Sequence, residues 1–210
     1  MIIVNFKNYR IGNDVVDLIK KIEIYYNKAI VAVPSLEIKE AVGSTRLEVY
    51  AQHVDYHEKG KGTGKVIPED LITAGVKGSI LNHSEHKLKF DEIKQTVKRC
   101  NEMNFKLVIC ASNLTEVKKI AKLRPYAIAF EDPKLISTGN SITEYKSVDV
   151  KKFVGLLDGT DIIPLCGAGI TKGEDVAAAL VLGCRGILVS SAVANSQNPE
   201  GFLKEIGGLI

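Results

Sequence analysis

Asp161-Ile162-Ile163-Pro164-Leu165-Cys166-Gly167-Ala168-Gly169-Ile170-Thr171 is the stretch that decides the fold. An apolar run of strand length, Asp161 to Leu165, ends in a turn of small residues. Thr171-Lys172-Gly173-Glu174 then has capping-box spacing just ahead of an apolar helical face formed by Val176, Ala177, Leu180 and Val181. The unit is strand, glycine turn, helix. Seven more short runs rich in β-branched or apolar residues flank it: Ile2 to Phe6, Ala29 to Val33, Leu47 to Ala51, Gly78 to Leu81, Lys106 to Cys110, Tyr126 to Phe130 and Gly186 to Val189. Most are separated by helical spacing, as in Val15, Val16, Ile19 and Ile22, and Asn198-Pro199 reads as an N-cap followed by a proline at the first helical position.

Strand alternates with helix from end to end, and no Pro-, Ser- or charge-rich linker interrupts it. The pattern predicts one α/β domain over residues 1–210 with a parallel sheet. A doubly wound open sheet normally uses fewer strands at this length and carries a glycine-rich turn after its first strand. Here the first strand ends in Asn5-Phe6-Lys7, without glycine. Eight units with a glycine turn at the seventh predict instead a closed eight-stranded parallel (β/α)8 barrel, whose phosphate site commonly follows strands seven and eight. At 210 residues it is a compact example, near the lower edge of the usual range of about 200 to over 400.

Composition removes several function classes. A 45% hydrophobic share with 25% charged residues of both signs is too apolar for disorder and too mixed for a coiled coil. Lys and Arg total 28 against 25 Asp and Glu, a net charge of +3, and they are scattered among acids without the basic stripe of a nucleic-acid footprint. The longest apolar runs, such as Ile30 to Pro34, fall far short of the ~18 residues of a membrane span. The N-terminus enters a strand at once, leaving no basic n-region, apolar h-region or cleavage site, so a cytoplasmic location is expected. Cys100, Cys110, Cys166 and Cys184 form no CxxC pair and sit in or beside apolar stretches, as buried free thiols do. His53 and His57 are spaced i,i+4, and His83 and His86 i,i+3, but HExxH is absent and no metal is expected.

In such a barrel the C-terminal ends of all strands meet at one face, so polar residues that end apolar strands converge. Asn5 and Lys7 share parity, with Phe6 pointing the other way. His83 follows Ile80-Leu81-Asn82, and Glu131 ends Ala127-Ile128-Ala129-Phe130. A carboxylate, an imidazole and an ammonium are thus expected around one mouth. Taken one at a time, a lysine at a strand end is usually solvated, a histidine structural, and a glutamate a helix-start charge. The joint placement argues for chemistry.

The turn from Gly167 to Gly169 and the small residues Ser190 and Ser191 after strand eight suit an anion, because small side chains let backbone N–H groups approach and the N–H groups of a helix start add donors. The glycine spacing misses GxGxxG by one residue. Gly60-Lys61-Gly62-Thr63-Gly64-Lys65 does not have P-loop spacing and reads as a mobile or interface loop. Asp132 to Ser141, bounded by Pro133 and Gly139, reads as a lid able to exclude water from a bound anion.

In this order the motifs resemble triosephosphate isomerase, in its short archaeal form, over nearly the whole chain: Asn5-Phe6-Lys7, Ala51-Gln52-His53, Leu81-Asn82-His83-Ser84-Glu85, Glu131 opening the lid, Cys166-Gly167-Ala168-Gly169-Ile170, and Val189-Ser190-Ser191. The resemblance implies interconversion of dihydroxyacetone phosphate and D-glyceraldehyde 3-phosphate through an enediolate, in glycolysis and gluconeogenesis, without a cofactor. It makes Glu131 the base and His83 a neutral electrophile. Lys7 and Asn5 then bind substrate, and Ile136, Gly169, Ser190 and Ser191 contact the phosphate. It also implies a homodimer or homotetramer, for which the loop from Gln52 to Ile67 is long enough to be an arm. Three positions depart from the family pattern. Ser137 stands where a lid glycine is common, Asp132 where archaeal forms often have proline, and Lys65 where an acid is common. Another sugar- or indole-phosphate barrel enzyme, or a non-catalytic phosphate-binding barrel, shares the glycine turn without requiring the set of Lys7, His83 and Glu131.

Overall fold

The computed structural model describes residues 1–135 and 141–209. Eight strands, β1 (Ile2–Asn5), β2 (Ile30–Val33), β3 (Glu48–Ala51), β4 (Gly78–Leu81), β5 (Lys106–Ala111), β6 (Ala127–Phe130), β7 (Ile163–Cys166) and β8 (Ile187–Val189), pair in chain order into a closed parallel barrel. β8 returns to β1 with Ile3 opposite Leu188 and Val4 opposite Val189. The strands are short, apolar and buried on both faces, as parallel strands sandwiched between a packed interior and surrounding helices must be. The predicted runs coincide with them to within two residues at each end.

Side-chain alternation divides the core in two. Ile3, Ile30, Ala32, Tyr50, Ile80, Val108, Ala127, Ala129, Leu165 and Leu188 fill the barrel. Ile2, Val4 and Phe6 face outward into a larger shell shared with the helices. These are α1 (Asn13–Tyr25), α2 (Ile38–Ser44), α3 (Pro68–Thr73), α4 (Phe90–Glu102), α5 (Leu114–Ala121), α6 (Ile142–Tyr145), α7 (Ser147–Leu157), α8 (Gly173–Val181), α9 (Ser191–Ala194) and α10 (Pro199–Gly207). In α1 the buried residues are Val15, Leu18, Ile19 and Ile22, the expected stripe apart from Leu18 replacing Val16. Asn198 caps α10 by accepting from the N–H of Gly201, with Pro199 in the first turn. All four cysteines are buried free thiols.

α8 departs from expectation at both ends. Lys172 is its N-cap, and Asp175, not Glu174, reaches back: its Oδ2 accepts from the N–H groups of Thr171 (2.9 Å) and Lys172 (3.1 Å). Glu174 points to solvent and pairs with Lys172 Nζ at 2.9 Å. Val181 is 86% exposed, and Val176 and Ala179 carry the buried face instead. The helix is apolar almost all round, so its composition admits more than one face; packing selects the one on which the small Ala179 lets it sit close.

Candidate active site

Asn5 is the last residue of β1 and is buried, and Lys7 lies just past it with φ 45°. A non-glycine residue holds this left-handed conformation only when its surroundings enforce it. Two hydrogen bonds do so: the Lys7 N–H donates to Asn5 Oδ1 (3.0 Å), and Gln52 Nε2 donates to the Lys7 carbonyl (2.9 Å). The twist aims the Lys7 side chain across the barrel mouth, where Nζ meets Glu85 Oε1 at 2.7 Å.

His83 leaves the end of β4 after Asn82, another left-handed residue at φ 57°. The N–H of Glu85 donates to His83 Nδ1 at 3.3 Å, which makes Nδ1 the acceptor and leaves the proton of the neutral ring on Nε2. Burial pushes the His83 pKa down to about 4, Glu85 opposes the shift, and the Lys7 and Lys87 ammonium groups add to it. The imidazole is therefore neutral throughout the physiological range. Its Nε2 faces Glu131 Oε1 at 3.7 Å.

Glu131 follows β6. Its backbone is fixed by N–H donation to the Ala111 carbonyl at 2.9 Å, while the Gly167 N–H donates to the Phe130 carbonyl at 3.0 Å. The side chain then lies across Gly167, where a β-carbon would sit 2.8 Å from Glu131 Cγ. Oε2 is buried without a hydrogen-bond partner among the described residues. Burial raises the Glu131 pKa to about 7; the Cys110 thiol beside it and the Lys7 and Lys87 charges hold it below what burial alone would give. A buried carboxylate poised near neutrality beside a neutral imidazole and a cation can take a proton from carbon and support the charge that develops on an adjacent oxygen.

Asn5, Lys7, His83 and Glu131 share one cleft with Gly167 to Thr171 and Leu188 to Ser191. Gly169 turns the chain at φ 67°, and Ser190 Oγ is buried without a partner among the described residues. The N–H groups expected from the start of α8 are already engaged, those of Thr171 and Lys172 by Asp175 and that of Gly173 by Glu205. Among the described residues, donors for an anion are therefore left to the turn and the end of β8. No group of three or more His, Cys, Asp or Glu suited to a metal occurs among the described residues.

Comparison with known proteins bears on this constellation directly. The family described as triosephosphate isomerase matches residues 1–206. The chain belongs to the triosephosphate isomerase family. Similar relatives carrying that name include proteins from Sulfolobus acidocaldarius (38% identical, covering 98% of this chain and 92% of the relative), Methanocaldococcus jannaschii (33%, 98% of each) and Thermoplasma volcanium (36%, 98% of each). As in other triosephosphate isomerases, the activity is the isomerisation of a triose phosphate.

Of the residues expected at this triosephosphate isomerase site, Asn5, Lys7, His83, Glu131, Gly169, Ser190 and Ser191 line the cleft together. Ile136, and Ser137 with it, lie outside the described residues. Sequence reading passed over Glu85 as Lys7's ion-pair partner, Gln52 as its backbone clamp, Gly167 as the surface under Glu131, and Cys110. Glu85 and Gln52 stand inside the motifs that carry the family resemblance, so proximity to His83 and to β3 is an available signal. Nothing in its local sequence distinguishes Cys110 from any other buried thiol.

Proposed function

We propose that dihydroxyacetone phosphate and D-glyceraldehyde 3-phosphate are interconverted through an enediolate by Glu131 and His83, with Lys7 and Asn5 binding the reacting end. Glu131 takes the proton from the carbon next to the carbonyl and returns it to the neighbouring carbon. Neutral His83 donates from Nε2 to the carbonyl oxygen and, as the enediolate forms, moves a proton between its oxygens. Lys7 supplies the positive charge that favours the enediolate over the neutral substrate. Gly169, Ser190 and Ser191 hold the phosphate through backbone N–H groups, with Ile136 contributing from the lid; no cofactor takes part.

The observation that carries the reading is the buried Oε2 of Glu131, without a hydrogen-bond partner among the described residues, in a carboxylate whose other oxygen faces His83 Nε2 at 3.7 Å. An unsatisfied buried carboxylate oxygen is costly and calls for a functional reason. A coupled assay tests it: Glu131→Ala should lose roughly 10²- to 10⁴-fold in kcat, and full activity in that variant would remove Glu131 from the role.

Residues 1–210 act as one domain in this reading, and the protein works in the cytoplasm, in glycolysis and gluconeogenesis. No helix among the described residues is long and apolar enough to cross a membrane, which fits that location. The loop from Gln52 to Ile67 packs against a second copy in a homodimer or homotetramer. Support comes from the way its base is closed, by Asp55 accepting from the Val66 N–H (2.9 Å) and from Lys65 Nζ (3.1 Å), which presents the intervening residues as a preformed arm.

A further inference from the structure

One carboxylate outside the cleft gathers both loops behind His83. Glu116, in the first turn of α5, accepts from Asn82 Nδ2 (2.9 Å) on Oε1, from the Ser112 N–H (2.7 Å) on Oε2, and from Lys87 Nζ at 3.0 Å on each oxygen. Asn82 is the left-handed residue just before His83, and its remaining polar capacity is also used: Nδ2 reaches the Cys110 carbonyl (2.8 Å) and Oδ1 accepts from the Leu88 N–H (3.0 Å). The segment from Asn82 to Leu88 is thus a ring, closed by Asn82 and pinned to the β5–α5 turn by Glu116, with His83 and Glu85 projecting from it into the site.

We infer that Glu116 is a positioning residue for the isomerisation, acting through the Asn82 amide to hold the backbone that aims His83 at Glu131. The inference rests on the assignment of His83 and Glu131 made above. Asparagine tolerates left-handed φ better than most residues, but a conformation of this kind persists only where neighbours over-determine it. A neutral group could not do what Glu116 does. It accepts four hydrogen bonds from three donor groups on its two oxygens, and an amide of the same shape would turn an NH₂ toward Lys87 and toward either the Asn82 amide or the Ser112 N–H. Burial pushes the Glu116 carboxyl up, but the Ser112 N–H, the Asn82 amide and Lys87 bring it below its ordinary value, so the clamp stays ionised.

The test is steady-state kinetics on the full chain for Glu116→Gln, Asn82→Ala and the double variant, with circular dichroism to establish folding. Wild-type turnover of triose phosphates, measured first, tests the site assignment separately: its absence sinks that assignment and this inference together. With wild-type turnover present, Glu116→Gln should lower kcat roughly ten- to a hundredfold, as a small misplacement of a catalytic group does, with KM within about twofold. The double variant should fall little further than the worse single one, because both changes act on the same backbone. A folded Glu116→Gln with normal kcat, a loss confined to KM, or independent losses that multiply in the double variant would each overturn the inference. Should Glu116→Gln fail to fold, a normal kcat in Asn82→Ala would overturn it as well.

Discussion

Gly167 and Glu131, side by side at the ends of the paired strands β7 and β6, touch so closely that a single added methyl group has no room: a β-carbon on Gly167 would lie 2.8 Å from Glu131 Cγ and 3.2 Å from Oε1. The glycine turn after β7 therefore does more than admit an anion. It is the surface on which the proposed base rests, and the only side chain small enough there is none.

Gly167→Ala should consequently act on rate before it acts on stability. The displaced carboxylate loses its line to substrate, and kcat should drop roughly a hundredfold, whereas the overpacking itself costs on the order of 1–3 kcal/mol. Paired kinetics and thermal melts separate the two; an alanine variant with wild-type kcat would show that Glu131 does not depend on this contact.

The pH dependence of stability carries the mark of Glu131. Its pKa rises from an ordinary 4.5 to about 7 on folding, so the native state binds the extra proton: the contribution is fully present below about 4.5 and is lost as pH rises through about 7. His83 runs the other way. Its pKa falls from 6.5 to about 4, so its contribution is present above 6.5 and lost as pH falls through about 4. Glu131→Gln removes the first of these alone. It should be more stable than wild type at pH 8, by up to roughly 3 kcal/mol, with the difference shrinking toward pH 5 in denaturant titrations. Equal stabilities at pH 8 would mean that the carboxylate is not penalised by burial.

Cys110 offers an independent handle on the same group. Because its thiol holds the Glu131 pKa down, Cys110→Ala should move the acid limb of kcat/KM to higher pH, while Cys110→Ser keeps a donor and should leave the limb at or below the wild-type position. A pH profile indifferent to both substitutions would exclude the thiol from tuning the base.

Asp55→Ala tests the proposed arm. Removing the acceptor for Val66 and Lys65 opens the base of the 52–67 loop, and sedimentation should then show a concentration-dependent shift toward monomer with a lower melting temperature. A wild-type protein that is already a stable, fully active monomer would contradict the assignment of this loop to a partner.

Sequence by itself determined the architecture and which polar side chains meet at its mouth. Short apolar runs alternating with helical stripes leave few topologies, and a closed parallel barrel forces every strand's C-terminal end to one face, so Asn5, Lys7, His83 and Glu131 converge however far apart they lie in the chain. What only the tertiary structure decided is how those groups are tuned. The face buried by α8, where Val181 is solvent-exposed, depends on close packing that composition leaves open. The capture of the α8 N–H groups by Asp175 and Glu205 is equally invisible in a spacing rule. The pKa values of Glu131 and His83 follow from dehydration and from charges on other strands, and the left-handed backbones of Lys7 and Asn82 are held by Gln52 and Glu116 across 45 and 34 residues of chain. Local preference encodes elements; electrostatics and strain belong to neighbours brought together only by closing the barrel.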